Sequence, residues 1–226
     1  MRLQIDRPYI RGSLFEDRKF LLIWAGAAYL FSLGLFAYFA GDMDRFPGEL
    51  SVSVWVQSWQ PSWLDTVMRA ISAPGSGIAG IPLTILALPV LYLKGWQKES
   101  IFILAVTLLA FGVTSIIKEL VARPRPPADL VQTTGEFGGF SFPSGHVTHY
   151  VVFLGTMAAL LIWNMRPSPA RTLLLSSVAL ALLGIGVSRV YLGAHLLGDV
   201  MGGYLLGAGM VAFAVVLWRV WVNRGD

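Results

Sequence analysis

The side chains able to do chemistry in this chain are few, and they fall in three short stretches. There are three histidines, His146, His149 and His195, and no cysteine. Thiolate nucleophiles, thiolate metal sites and disulfides are therefore excluded. The first stretch is KELVARPRP, Lys118 to Pro126; the second is FPSGH, Phe142 to His146; the third is SRVYLGAHLLGD, Ser188 to Asp199. Lys118, Arg125 and Arg189 supply three fixed positive charges. The Ser144 hydroxyl and the Gly145 N–H, near a helix start, add neutral donors suited to anionic oxygens, so together these groups describe a phosphate cradle. Asp199 follows His195 by four residues, and its carboxylate can accept from one ring nitrogen. That fixes the tautomer and leaves the other nitrogen free to attack. His146 can donate a proton to a departing oxygen. Cradle, nucleophile, orienting carboxylate and acid make a metal-free phosphoryl-transfer site.

Each stretch alone has a plainer reading. Basic residues at the end of an apolar helix often snorkel to an interface. Pro-Ser-Gly-His suits a turn and a helix cap, and His195 with Asp199 suits a structural pair one turn apart. The chemical reading needs all three stretches at one place, which depends on the elements that carry them.

Those elements are apolar helices. Of 226 residues, 55% are hydrophobic and 13% charged, with a mean hydropathy of +0.65. Soluble domains carry about a quarter charged residues, so the chain is expected to be an integral membrane protein. No basic face for nucleic acid is present. Six uncharged segments are long enough to cross a bilayer: Phe20–Ala40, Gly77–Leu93, Ile101–Ile117, Val147–Trp163, Thr172–Ser188 and Val200–Trp218. The first has no small-residue cleavage site and is read as an uncleaved anchor. Pro82 and Pro89 are expected to kink the second. The expected fold is an all-α membrane bundle of six transmembrane helices, one domain over residues 1–226. With both termini on one side, that side carries eleven Lys and Arg residues against six on the other. The termini are thus expected to be cytoplasmic, and all three stretches to share the outer face. The outer segment 41–76 includes SVSVWVQSWQPSWLD, rich in Val and Trp, and is expected to lie at the membrane interface.

The pattern K-x6-RP, PSGH and SR-x5-H-x3-D, here Lys118…Arg125-Pro126, Pro143-Ser144-Gly145-His146 and Ser188-Arg189…His195…Asp199, resembles the type 2 phosphatidic acid phosphatase superfamily. Spacing selects Arg125 over Arg123, because only Arg125 leaves six residues after Lys118. The motifs occupy residues 118–199, and the six-span plan resembles the membrane-bound branch over nearly the whole chain. The resemblance implies His195 as nucleophile through a phosphohistidine, Asp199 as its orienting partner and His146 as acid. It implies Lys118, Arg125, Ser144, Gly145 and Arg189 as phosphate-binding residues, with no metal and no cofactor. Soluble haloperoxidases share the motifs, but their framework does not resemble six short-looped spans.

The expected activity is hydrolysis of a lipid phosphate in a cell membrane, of a bacterial inner-membrane type, with the site facing outward. Isoprenyl pyrophosphate, phosphatidylglycerol phosphate and phosphatidic acid all remain open as substrates. A non-catalytic protein that binds or moves lipid phosphates is the alternative, weakened by the presence of both histidines and the aspartate. A serine hydrolase built on Ser144 and His146 fits three cations poorly. For a diphosphate, Arg123 or Arg45 is a candidate further cation. His149, three residues after His146, has no role in the family pattern. As an intramembrane ionisable group it is a functional candidate, but the favoured expectation is a neutral ring hydrogen-bonded to a neighbouring helix.

Overall fold

The computed structural model describes residues 9–75, 88–133, 135 and 137–222. Among these, every regular element is helical: α1 (Tyr9–Asp42), α2 (Glu49–Gln57), α3 (Ser62–Ser72), a short 3-10 turn (Ala73–Gly75), α4 (Gln97–Val121), α5 (Gly145–Asn164), α6 (Pro169–Tyr191) and α7 (Leu197–Val222). Five stretches are long and apolar enough to span a bilayer: Leu22–Asp42, Gln97–Val121, Gly145–Asn164, Pro169–Tyr191 and Leu197–Trp221. These are the first, third, fourth, fifth and sixth expected spans. The second expected span, Gly77–Leu93, lies mostly outside the described residues, Pro82 included; its last residues, 88–93, are helical.

The apolar helices run further than charge-free counting suggests. Lys118, His146, Arg189 and Asp199 all lie on terminal helical turns rather than in loops. Helix α4 stops at Ala122, which takes a left-handed conformation (φ 50°) with its N–H on the Lys118 carbonyl. Pro124 and Pro126 then hold the chain extended. Helix α6 starts with Ser168 accepting from the Arg171 N–H and Pro169 at the first helical position, a paired start signal. It ends in a turn where Gly193 adopts φ 68°, leading directly to His195 and α7.

Helix α5 is the most deeply buried span and packs most closely on α7. Val147 and Val151 on α5 join Ile185 and Val190 of α6 and Val200 of α7 in one buried cluster. The close approach depends on Gly203 and Gly207, one turn apart on α7. A Cβ at Gly203 would stand 2.8 Å from the Ser144 carbonyl oxygen and 3.0 Å from Val147 Cβ; one at Gly207 would stand 2.7 Å from Val151 Cβ. Within a bilayer, where lipid tails are as apolar as Leu, such small-residue seams let helices associate by close packing.

Two helices, α2 and α3, run through the segment expected at the interface. Glu49, Ser53 and Gln57 recur at four-residue spacing on α2 and are buried, while Val54 and Trp55 face outward. Trp55, Trp59 and Trp63 are exposed, with the last two rings edge to face, as an interfacial segment requires.

Gly203→Val is expected to destabilise the fold by about 1–3 kcal/mol through overpacking, seen as a lower Tm in detergent. Gly112→Ala serves as the control, since its added Cβ meets nothing within 4 Å.

Candidate active site

The C-terminal turns of α4 and α6 and the N-terminal turns of α5 and α7 meet at one end of the bundle, and the three motifs converge there. A backbone bond fixes the junction of the second and third motifs: the Ser144 N–H donates to the Asp199 carbonyl at 2.9 Å. First and second motifs meet where Gly145 leaves room for Lys118, whose Cε lies 3.8 Å from the position of an added Cβ.

His195 sits in the turn before α7 and is 2% exposed. Its Nδ1 faces Asp199 Oδ2 at 3.5 Å and the Ser141 hydroxyl at 3.2 Å. Ser141 in turn donates to Asp199 Oδ2 at 2.5 Å. Since that hydroxyl proton is committed to the carboxylate, Ser141 accepts from an Nδ1–H. The tautomer so assigned leaves a lone pair on Nε2, which faces the Arg125 guanidinium at 3.4 Å. Asp199 therefore orients the ring partly through Ser141. Burial pushes the His195 imidazole down to about 4; Asp199 opposes this, while Arg189 and Arg125 add to it. The ring is neutral near pH 7 and available as a nucleophile.

The three cations gather at this end of the bundle, with Arg125 nearest that nitrogen. Lys118 Nζ donates to the Phe140 and Ser141 carbonyls, and Arg125 donates to the carbonyls of Gly138, Gly139 and Ala194. Burial, partly offset by Asp199, lowers the Arg125 pKa; a guanidinium still stays charged. Arg189 Nη1 donates to Ser72 Oγ, and the Arg125 and Arg189 guanidinium groups both lie against the Phe137 ring, at 5.7 and 5.2 Å. Ser144 occupies the N-cap position of α5, yet its hydroxyl makes no cap bond. Ser144 Oγ and Arg189 Nε are buried without a hydrogen-bond partner among the described residues. Buried polar groups are normally paired, and these two are donors beside a cluster of cations, so an anionic oxygen fits them. His146, on the first turn of α5, abuts Gly75, where an added Cβ would stand 2.9 Å from its Cδ2. All eight residues singled out from the sequence thus lie at this end of the bundle.

Arg123 has a different place from the one considered for it. It is 2% exposed, donating through Nη1 to Asp199 Oδ1 at 2.8 Å and through Nη2 to Glu49 Oε1 and the Asp44 carbonyl. Burial works against its charge, but Asp199 and Glu49 outweigh this and raise its pKa. With both guanidinium ends engaged by carboxylates, Arg123 is no spare cation for a second phosphate. Arg45 instead lines an outer cavity of about 310 Å³ that Arg125 also borders. Glu49 Oε2 accepts from the Gly198 N–H at the head of α7. Gln57, two turns along α2, donates to the Gln132 and Tyr191 carbonyls and accepts from the Gln132 N–H. Helix α2 thereby ties the outer segment to the turn that carries His195.

The PAP2 superfamily profile matches residues 99–224. The chain belongs to the PAP2 superfamily. It is 32% identical to the phosphatidylglycerophosphatase B of Bacillus subtilis over 154 residues, covering 64% of this chain and 70% of that protein. It is also 32% identical to the decaprenylphosphoryl-5-phosphoribose phosphatase of Mycobacterium tuberculosis, over 73% of this chain and 88% of that protein. The crystal structure of a transmembrane PAP2-type phosphatidylglycerolphosphate phosphatase from Bacillus subtilis shares the fold, with a TM-score of 0.71 and 24% identity over 83% of this chain and 94% of that one. Membership and these relatives make the chain a phosphoric ester hydrolase held in a membrane.

Sequence reading passed over Glu49 and Ser141, and considered Arg123 only as a spare cation. The four-residue spacing of Glu49, Ser53 and Gln57 was the available signal for an inward polar stripe. Nothing comparable marks Ser141. Because Arg123→Leu leaves two buried carboxylates without their cation, it is expected to cost about 3–5 kcal/mol. Arg123→Leu combined with Glu49→Leu is expected to recover part of that loss, read as Tm in detergent.

Proposed function

We propose that this PAP2 protein removes the phosphate from a lipid phosphate ester at the outer membrane face, with His195 as nucleophile and no metal. The observation that carries the reading is His195 itself. Its Nδ1 side is held by Ser141 and Asp199 while its Nε2 faces Arg125, next to the unpartnered Ser144 and Arg189 donors. The excess of Lys and Arg on the side of the termini supports the outward orientation.

In the first step the Nε2 lone pair attacks phosphorus and the bond from phosphorus to the lipid oxygen breaks. A protonated His146 gives its proton to the leaving alkoxide. Lys118, Arg125, Arg189, Ser144 and the Gly145 N–H hold the three phosphoryl oxygens while charge builds on them. In the second step the now neutral His146 takes a proton from water. The hydroxide so formed attacks the phosphohistidine, and inorganic phosphate leaves with His195 restored.

Rapid acid-free quenching with radiolabelled lipid phosphate is expected to trap a phosphorylated protein that is stable in base and labile in acid. His195→Ala is expected to abolish both label and turnover, with chelator present throughout. His146→Ala is expected to lower turnover by about 100-fold or more. A label that persists in His195→Ala, or turnover that requires added metal, refutes the mechanism.

The acid limb gives an independent check. A base whose folded pKa is depressed stays neutral until the pH falls through that lower value. Once the substrate's own phosphate ionisation is divided out, kcat/KM is expected to persist below pH 6.5 and to fall near pH 4.

A further inference from the structure

The phosphate cradle continues inward as a cavity that ends on an unused histidine. A space of about 120 Å³ is lined by Ala110, Phe111, Thr114 and Ser115 of α4, by Lys118 at its outer end, and by Gly145 and His149 of α5. Ser115 is exposed on the outer wall of α4, so the cavity borders the bilayer side of the bundle. His149 is 4% exposed, and neither ring nitrogen has a hydrogen-bond partner among the described residues. The hydrogen bond to a neighbouring helix expected from the sequence is thus absent among the described residues. Phe111 and Phe153 pack against the ring with centroids at 4.8 and 6.1 Å, so its polar edge has only the remaining directions in which to find a partner. An unpaired polar group buried in protein costs about 1–3 kcal/mol.

The spacing says what the partner is. His149 follows Gly145 by four residues on one helix, which places it about 6 Å further from the cradle along the axis. A lipid whose phosphate occupies the cradle puts there the carbons just beyond the scissile ester. In a glycerol skeleton the next carbon bears a hydroxyl or ester oxygen. An isoprenyl chain has only hydrocarbon at that point. We infer that the cavity between α4 and α5 is a subsite for the oxygen-bearing skeleton of a glycerolipid phosphate, read by a hydrogen bond to His149. The inference rests on the phosphatase reading above and narrows it to a substrate class. A glycerolipid phosphate restores the missing hydrogen bond, whereas an isoprenyl phosphate leaves the imidazole unpaired against hydrocarbon.

The test compares dioctanoyl phosphatidic acid with farnesyl phosphate in detergent. The ratio of their kcat/KM values is expected to fall about tenfold in His149→Leu, the worth of one hydrogen bond. His149→Gln, which keeps a donor and an acceptor, is expected to regain most of it. A merely structural histidine lowers both substrates together, so an unchanged ratio overturns the subsite. So does a ratio that falls equally in His149→Leu and His149→Gln. Phosphate release from neither lipid by the wild type overturns the phosphatase reading instead. In that case the subsite is judged by equilibrium binding of the two lipids to His195→Ala protein. There, His149→Leu is expected to weaken phosphatidic acid about tenfold relative to farnesyl phosphate, and equal weakening overturns it.

Discussion

A carboxylate buried at the head of an apolar helix has to be compensated, and Asp199 is compensated from every side. It is 1% exposed and accepts from Arg123, from Ser141 and from the Leu196 N–H, with His195 Nδ1 close by. An isolated ion in such a place carries a penalty of several kcal/mol, which only a well-made set of partners offsets. That demand explains several features that otherwise look unrelated. Arg123 is drawn inward from a proline-flanked segment. Glu49 follows it to balance the second guanidinium end. The outer segment, through α2, is thereby folded back over the catalytic end of the bundle. The charge balance also suits the proposed substrate. Arg123 with its two carboxylates has one net negative charge, and Lys118, Arg125 and Arg189 carry three positive ones. Two positive charges are left, which a phosphate monoester dianion neutralises.

Position follows from packing as much as from charge. The Ser144 N–H reaches the Asp199 carbonyl only because α5 and α7 approach closely at the glycine seam. The same contact sets the Ser144 hydroxyl beside the cations without spending it on capping. A serine at a helix start ordinarily satisfies that helix. Here it has no partner among the described residues, and its hydroxyl is open to an anion.

The parts of this arrangement legible in the sequence are those where one residue type at one spacing decides the matter. Absence of charge over seventeen or more residues marked five spans that the structure contains, and motif spacing singled out Arg125, which lies beside His195, over Arg123, which does not. The partners were less legible, because partnership is a tertiary property. Arg123 and Arg125 are two residues apart in the same Pro-rich run, yet one is buried between carboxylates and the other faces His195. Glu49 lies in a stretch whose Val and Trp residues suggested an interfacial strip. Only the helical register of Glu49, Ser53 and Gln57 shows that its polar side turns inward. Ser141 is an ordinary serine until the fold sets it between His195 and Asp199. Span ends were read short for a related reason: a charge at a helix terminus was taken as a boundary, though Lys118, Arg189 and Asp199 continue the helix and find partners beyond it.

The state of His195 shows how these forces combine. Burial and the nearby arginines favour the neutral ring, and Asp199 favours the charged one; burial wins, leaving the imidazole at about 4. Arg125 and Arg189, two of the cations proposed to hold a phosphate, thus also help keep the proposed nucleophile unprotonated. After burial, Asp199 is the largest influence on that charge, although Arg123 and Ser141 also draw on its oxygens. Its orienting role is shared with a hydroxyl. A stronger, unshared carboxylate would raise the imidazole toward protonation and occupy the lone pair that has to attack. The Arg123–Glu49 pair therefore does more than neutralise a buried acid, because it shares the carboxylate that orients the proposed nucleophile.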